Sequence, residues 1–191
     1  MLSVWMFVLS AVLVIIDQVT KALAVLFLKD QPALALWEGV FELQYCENPG
    51  IAFSLLENQR WLFIPATCLA MVVLVIMLIR SDLRHSGIFS FSCALILAGG
   101  IGNLIDRIAY KYVIDFLYFK LIDFPIFNFA DCCVVIGAIL LFAYLLFGCK
   151  DSDFSSLKGL IFGTKSKAKE SSDDDRSKDV DHPDGATEQT G

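Results

Sequence analysis

Residues 4–28 read VWMFVLSAVLVIIDQVTKALAVLFL, an apolar run from Val4 to Leu28 broken near its centre by Asp17, Gln18, Thr20 and Lys21. About 20 such residues cross the hydrocarbon core of a bilayer. Three more runs follow: Trp61 to Ile79 with no charge inside it, Ile88 to about Ile105, and about Ile126 to Gly148. Hydrophobic residues make up 57% of the 191-residue chain and charged residues 19%. A soluble domain carries roughly 25% charge. The expected fold is therefore an all-α membrane protein of four transmembrane helices. The first run lacks a basic n-region, is too long for a signal-peptide core and holds an acid at its centre, so it reads as a retained span.

The loops set the orientation. Arg80 to His85, between spans two and three, is short and basic, and Lys150, Lys158, Lys165, Lys167 and Lys169 follow span four. The loop after span one holds Asp30, Glu38, Glu42, Glu47 and Glu57 against Lys29 and Arg60. Under the positive-inside rule both termini face the cytoplasm, and the loops 29–60 and 109–125 face outward. Within the first of these, Phe41-Glu-Leu-Gln-Tyr45 alternates with period two, as a half-buried strand does. Asn48-Pro49-Gly50 is a turn signal, and apolar character resumes at Ile51. A small extracytoplasmic β-sheet built from this loop is the expectation. Residues 1–149 form one membrane domain, and the Ser-, Asp- and Lys-rich segment 150–191 reads as a disordered cytoplasmic tail.

Several chemistries are disfavoured by composition. The formal net charge is −6 and no basic patch is interleaved with aromatics, which argues against nucleic-acid binding. The six cysteines, Cys46, Cys68, Cys93, Cys132, Cys133 and Cys149, form no C-x-x-C pair and read as small packing residues. His85 and His182 both fall on the expected cytoplasmic side, and no H-E-x-x-H is present. A His-ligated metal or a Ser–His pair on the outer side is not expected.

Charges inside a bilayer are costly, at least ~2.5–3.5 kcal/mol at mid-helix, so the few polar residues in the spans are the informative ones. Asp17 and Lys21 share a helix face four residues apart and are placed to pair in the bundle interior; the alternative is a snorkelling lysine with a local partner. In Gly99-Gly-Ile-Gly-Asn103-Leu-Ile-Asp106-Arg107, the residues Gly99, Asn103, Asp106 and Arg107 fall on one helical stripe. Glycines there serve either helix packing or close approach of a ligand. Asp115 lies in an aromatic and aliphatic loop stretch, and Asp131 opens span four behind Asn128. Asn128-x-x-Asp131 reads as a helix cap, which also suits a group that must exist as a carboxylate.

Span three runs outward and span four inward, so Asp115 and Asp131 meet at the outer leaflet. Two close carboxyls in a partly dry site share one proton, and their pKa values are driven apart. One then activates a water while the other serves the carbonyl oxygen, which is peptide-bond hydrolysis without metal or serine. The same acids equally suit the proton relay of a small membrane transporter, and spacing alone does not choose.

Five segments together resemble the lipoprotein signal peptidases (signal peptidase II): Asp17-Gln-Val-Thr-Lys21, Asn48-Pro-Gly-Ile-Ala-Phe-Ser54, Gly99 to Arg107, Val113-Ile-Asp115-Phe116 and Phe127-Asn128-Phe-Ala-Asp131. The resemblance covers roughly the first 150 residues. It implies an intramembrane aspartic endopeptidase of the bacterial cytoplasmic (inner) membrane, cutting diacylglyceryl-modified prolipoproteins just before the lipidated cysteine. By the same resemblance Asp115 and Asp131 are the catalytic dyad. Asp17, Lys21, Asn48, Gly50, Asn103, Arg107 and Asn128 orient the dyad or hold substrate, and Asp106 supports the Arg107 region. Its partners are lipid-modified prolipoproteins and membrane lipids; no cofactor, no metal and no oligomer is expected. Asn48-Pro-Gly-Ile-Ala-Phe departs from the more usual Asn-Thr-Gly-Ala-Ala-Phe, so Pro49 and Ile51 put fine substrate preference outside what the resemblance carries.

Overall fold

A computed structural model describes residues 2–50, 60–80 and 86–148. The expected apolar continuation after Gly50, the basic 81–85 loop and the 150–191 tail lie outside the described residues. Four long helices appear among the described residues: α1 (Leu2–Leu28), α2 (Arg60–Arg80), α3 (Gly87–Ala109) and α4 (Phe129–Ala143), the last continuing as a π-helical turn over Tyr144–Gly148. Val4–Leu28, Gly87–Ala109 and Phe129–Gly148 are long and apolar enough to cross a membrane, and the apolar described part of α2 is Thr67–Ile79.

Helix α3 is the hub. Its apolar window is 67% buried, against 22% in α1 and 17% in the α4 segment, because α1, α2 and α4 all pack on it. The outer helices instead leave large apolar side chains such as Trp5, Ile15, Leu69 and Ile139 uncovered. In a soluble protein that exposure would be a liability; against lipid it costs nothing. Near the start of α3, a cluster of Leu74, Leu78, Phe89, Cys93, Leu97 and Tyr144 joins α2, α3 and the π turn. Ser10 adds a polar clasp by donating to the Ala94 carbonyl of α3 at 3.0 Å. The described cysteines are free thiols.

Outside the helices lies a three-stranded antiparallel sheet of order β1-β2-β3, formed by Leu34–Trp37, Phe41–Asn48 and Val113–Tyr118. The alternating Phe41–Tyr45 segment lies within β2, as its period two indicates. The expectation that the first loop alone builds the sheet needs correction. β3 comes from the segment between α3 and α4, so Asp115 stands on a strand and not on a loop. It was concealed because Val113, Ile114, Asp115 and Phe116 are all buried. A strand covered on both faces loses the alternation that reveals a half-exposed one. Ile114 and Phe116 pack with Leu43 and Tyr45 on Ala24 and Leu28, which seats the sheet on the end of α1.

The glycine stripe of α3 is settled at Gly99 in favour of packing. A Cβ there would collide with the Ala130 backbone carbonyl and come within 2.7 Å of Val134 Cγ2. Backbone cannot step aside as a flexible side chain can, so overpacking is costly. Gly99→Val is expected to destabilise the protein by about 1–3 kcal/mol, read as a lowered thermal midpoint in detergent. Gly87→Ala, with open space around the new methyl, should leave the midpoint where it is.

Candidate active site

The site is built on a buried charge cluster. Asp17 and Lys21, one helical turn apart on α1, pair at 2.9 Å. Lys21 Nζ also reaches Asp106 Oδ2 at 2.9 Å and donates to Asn103 Oδ1 at 2.9 Å. Asp17 and Lys21 are each 1% exposed and Asp106 is 0% exposed, so the lysine points into the bundle and does not snorkel. Gln18 Nε2 bridges Asp17 Oδ2 at 3.1 Å and Asp106 Oδ1 at 3.2 Å. Both acids also hold neighbouring backbone: Asp17 Oδ1 accepts from Ala130 N at 3.0 Å, and Asp106 Oδ2, the oxygen that also faces Lys21, accepts from Ile114 N at 3.1 Å. One cluster therefore ties α1, α3, the first turn of α4 and β3 together.

Asn103 and Asn128 connect this cluster to Asp115 and Asp131, and Asn48 holds Asp115 from the other side. Asn128 Nδ2 donates to Asp115 Oδ1 at 2.6 Å and to Asn103 Oδ1 at 3.0 Å. Asn48 Nδ2 donates to Asp115 Oδ2 at 2.9 Å. Asn103 Nδ2 donates to Asp131 Oδ1 at 2.7 Å, while the Asn128 backbone N–H donates to Asp131 Oδ2 at 3.1 Å. Each of the four carboxyl oxygens thus accepts an N–H bond. Asn48 is aimed by its own turn: Gly50 N donates to Asn48 Oδ1 at 2.9 Å, which leaves the Nδ2 end for Asp115. That turn needs φ +98 at Gly50, a conformation open to glycine and strained for other residues.

Asn128 has two jobs. As N-cap of α4 its Oδ1 accepts from Asp131 N at 2.9 Å, completing a reciprocal capping box. Its Nδ2 serves Asp115. The capping motif legible in the sequence is therefore also what fixes the two acids relative to each other.

Burial pushes the Asp115 carboxyl up to about 6; the Asn48 and Asn128 hydrogen bonds oppose the rise, the Asp131 charge adds to it and the Lys21 charge pulls against it. A carboxyl so placed holds its proton to a higher pH than a free aspartate does.

One expectation changes in detail. Asp106 faces Lys21, Gln18 and the Ile114 amide, so its service is to the α1–α3–β3 junction and not to Arg107. Arg107 is half-buried and its Nη1 donates to the Asn103 backbone carbonyl at 3.2 Å. The aspartate turns inward because the fully buried Lys21 ammonium must be paired, whereas the half-buried Arg107 need not be. Gln18 was not singled out beforehand, although an amide inside an apolar run was a usable signal. The Ala130 and Ile114 backbone donors have no side-chain signature to find.

By fold and helix character the molecule is a multi-pass membrane protein. It is similar to a bacterial membrane enzyme whose structure was determined by the in meso method, with a TM-score of 0.69 and 29% identity, covering 75% of this chain and 94% of that one. A family model described as signal peptidase (SPase) II matches residues 9–147. The lipoprotein signal peptidase of Halothermothrix orenii is 39% identical over 139 residues, 73% of this chain and 93% of that protein. That of Brevibacillus brevis is 40% identical over 148 residues, 77% and 99% of the two chains. The chain belongs to the signal peptidase II family and is a peptidase.

The double duty of Asn128 is separable. Asn128→Ala is expected to cost about 0.5–2 kcal/mol through the lost cap and also to cripple peptidase activity. Asn128→Ser keeps a capping oxygen but has no amide for Asp115, so its thermal midpoint should stay near wild type while activity falls. Near wild-type activity in Asn128→Ser beside a crippled Asn128→Ala would show that capping alone matters.

Proposed function

We propose that this chain is a lipoprotein signal peptidase that cuts the signal peptide from diacylglyceryl-modified prolipoproteins before the lipidated cysteine, with Asp115 and Asp131 as its dyad. The reading is supported chiefly by one observation: asparagine amides and one backbone N–H engage all four oxygens of these two acids in a single network. Asp115, protonated up to about pH 6, gives its proton to the scissile carbonyl oxygen. Asp131 takes a proton from the attacking water, and the hydroxide adds to the carbonyl carbon. When the tetrahedral intermediate collapses, Asp131 returns that proton to the leaving nitrogen and Asp115 recovers its own from the diol. Asn48, Asn103 and Asn128 hold the acids, Arg107 stands at the substrate side, and Asp17, Lys21, Asp106 and Gly50 support them. No metal or cofactor enters this route.

The topology that serves such a substrate has four spans with both termini cytoplasmic, 150–191 as a cytoplasmic tail and the sheet on the outer face. Trp37 and Tyr110 are 69% and 53% exposed, in keeping with aromatic residues at a membrane interface. The site then sits at the outer leaflet, where a lipidated cysteine is anchored. Pro49, which precedes the positive-φ Gly50, shapes the lip of the site.

The test uses purified protein with a lipidated and an unlipidated precursor. Only the lipidated form should be cut, and Asp115→Asn or Asp131→Asn should each lower the rate about 10²–10⁴-fold with the protein still in the membrane fraction. Near wild-type cleavage by either variant would end the dyad assignment.

The pH dependence follows from the raised Asp115 carboxyl. As the acid it must be protonated, so kcat/KM should fall as pH rises through about 6, approaching tenfold per pH unit beyond it. A profile that instead rises through that pH would exchange the roles of the two acids.

A further inference from the structure

Lys21 has only donors, and all three of its ammonium hydrogens are engaged: by Asp17 Oδ2, Asp106 Oδ2 and Asn103 Oδ1, each at 2.9 Å. Of these partners Asn103 alone can face either way, since an amide presents oxygen or nitrogen by a half-turn. Its oxygen meets Lys21, and its nitrogen therefore meets Asp131 at 2.7 Å. Turned over, the Asn103 NH2 would confront the buried ammonium, strand one of its hydrogens and present oxygen to the Asp131 carboxylate. Asn128 Nδ2 also donates to Asn103 Oδ1 at 3.0 Å, but it divides its hydrogens with Asp115 and carries no full charge. Lys21 is the origin of the donor chain, which runs Lys21 to Asn103 to Asp131.

We propose that Lys21 is a positioning residue for the peptidase reaction, setting the sense of the Asn103 amide so that its nitrogen, and not its oxygen, faces Asp131. The proposal rests on the dyad reading above and adds to it a cause for the orientation of one member. Lys21 bonds to neither acid; beside the long-range pull of its charge on Asp115, it acts through Asn103. Its ion pairs with Asp17 and Asp106 keep the ammonium in place, so the salt cluster serves the site as well as the fold.

A double-mutant cycle on kcat tests this, using full-length enzyme and a lipidated precursor peptide. Lys21→Met should lower kcat at least 100-fold with KM within threefold, because the substrate contacts are untouched. Asn103→Ala should lower kcat similarly. The double variant should be no more than threefold below the worse single one, since each removes the same link. Folded Lys21→Met with kcat within threefold of wild type, or single losses that multiply in the double, would overturn the proposal. Removing Lys21 leaves two buried carboxylates, so a variant that keeps the charge is needed should Lys21→Met not accumulate. Asn103→Asp keeps an acceptor for Lys21 and Asn128 but can only turn oxygen toward Asp131. It should be folded with kcat down at least 100-fold, and near wild-type kcat would sink the proposal equally. Asp115→Asn run beside them separates the two levels: if that variant is active, the dyad reading fails, whereas active Lys21→Met beside inactive Asp115→Asn removes only the role of Lys21.

Discussion

The ammonium of Lys21, buried between Asp17 and Asp106, is the contact on which the rest of the site depends. Charges in a low-dielectric interior survive only when paired and fully hydrogen-bonded. Here the pairing consumes every hydrogen of the ammonium and recruits α1, α3, α4 and β3 to supply or share acceptors. Taking away one partner of such a cluster costs about 3–5 kcal/mol, since the charge left behind stays buried. The same requirement for full satisfaction gives rigidity: no member can turn without stranding another.

That rigidity is passed upward through amides and not through further charges. Asparagine suits the task because each amide both accepts and donates, so a chain of them has a direction. Asn103 accepts below and donates above, Asn128 accepts from the α4 backbone and donates to Asp115, and Asn48 accepts from Gly50 and donates to Asp115. The two acids are thereby held by three separate elements: the last residue of β2, the C-terminal part of α3 and the cap of α4. Burial raises Asp115 even though donors surround it, the Asp131 charge adding to the rise.

Much of this was legible in the residues alone. Apolar run lengths gave the helices to within a few residues, because the need to satisfy backbone groups in lipid leaves helices as the economical solution. Asp17, Lys21, Asn103, Asp115, Asn128 and Asp131 stood out because polar atoms in apolar surroundings are rare and costly. Asn128-x-x-Asp131 announced a cap because capping is a local matter of three residues. Gly50 announced a turn for the same reason.

What the sequence could not determine was non-local. It offered Asp106 two opposite neighbours, Arg107 beside it and Lys21 on another helix, and only the packing of α1 on α3 chose the second. It hid β3, because a strand buried on both faces has no period, and it left open whether the Gly99 stripe met a helix or a ligand. The orientation of Asn103 was likewise beyond it, since an amide has no preferred sense until a buried cation some eighty residues away in the chain supplies one. Composition and spacing decide which groups must be satisfied; only the folded arrangement decides which partner satisfies each.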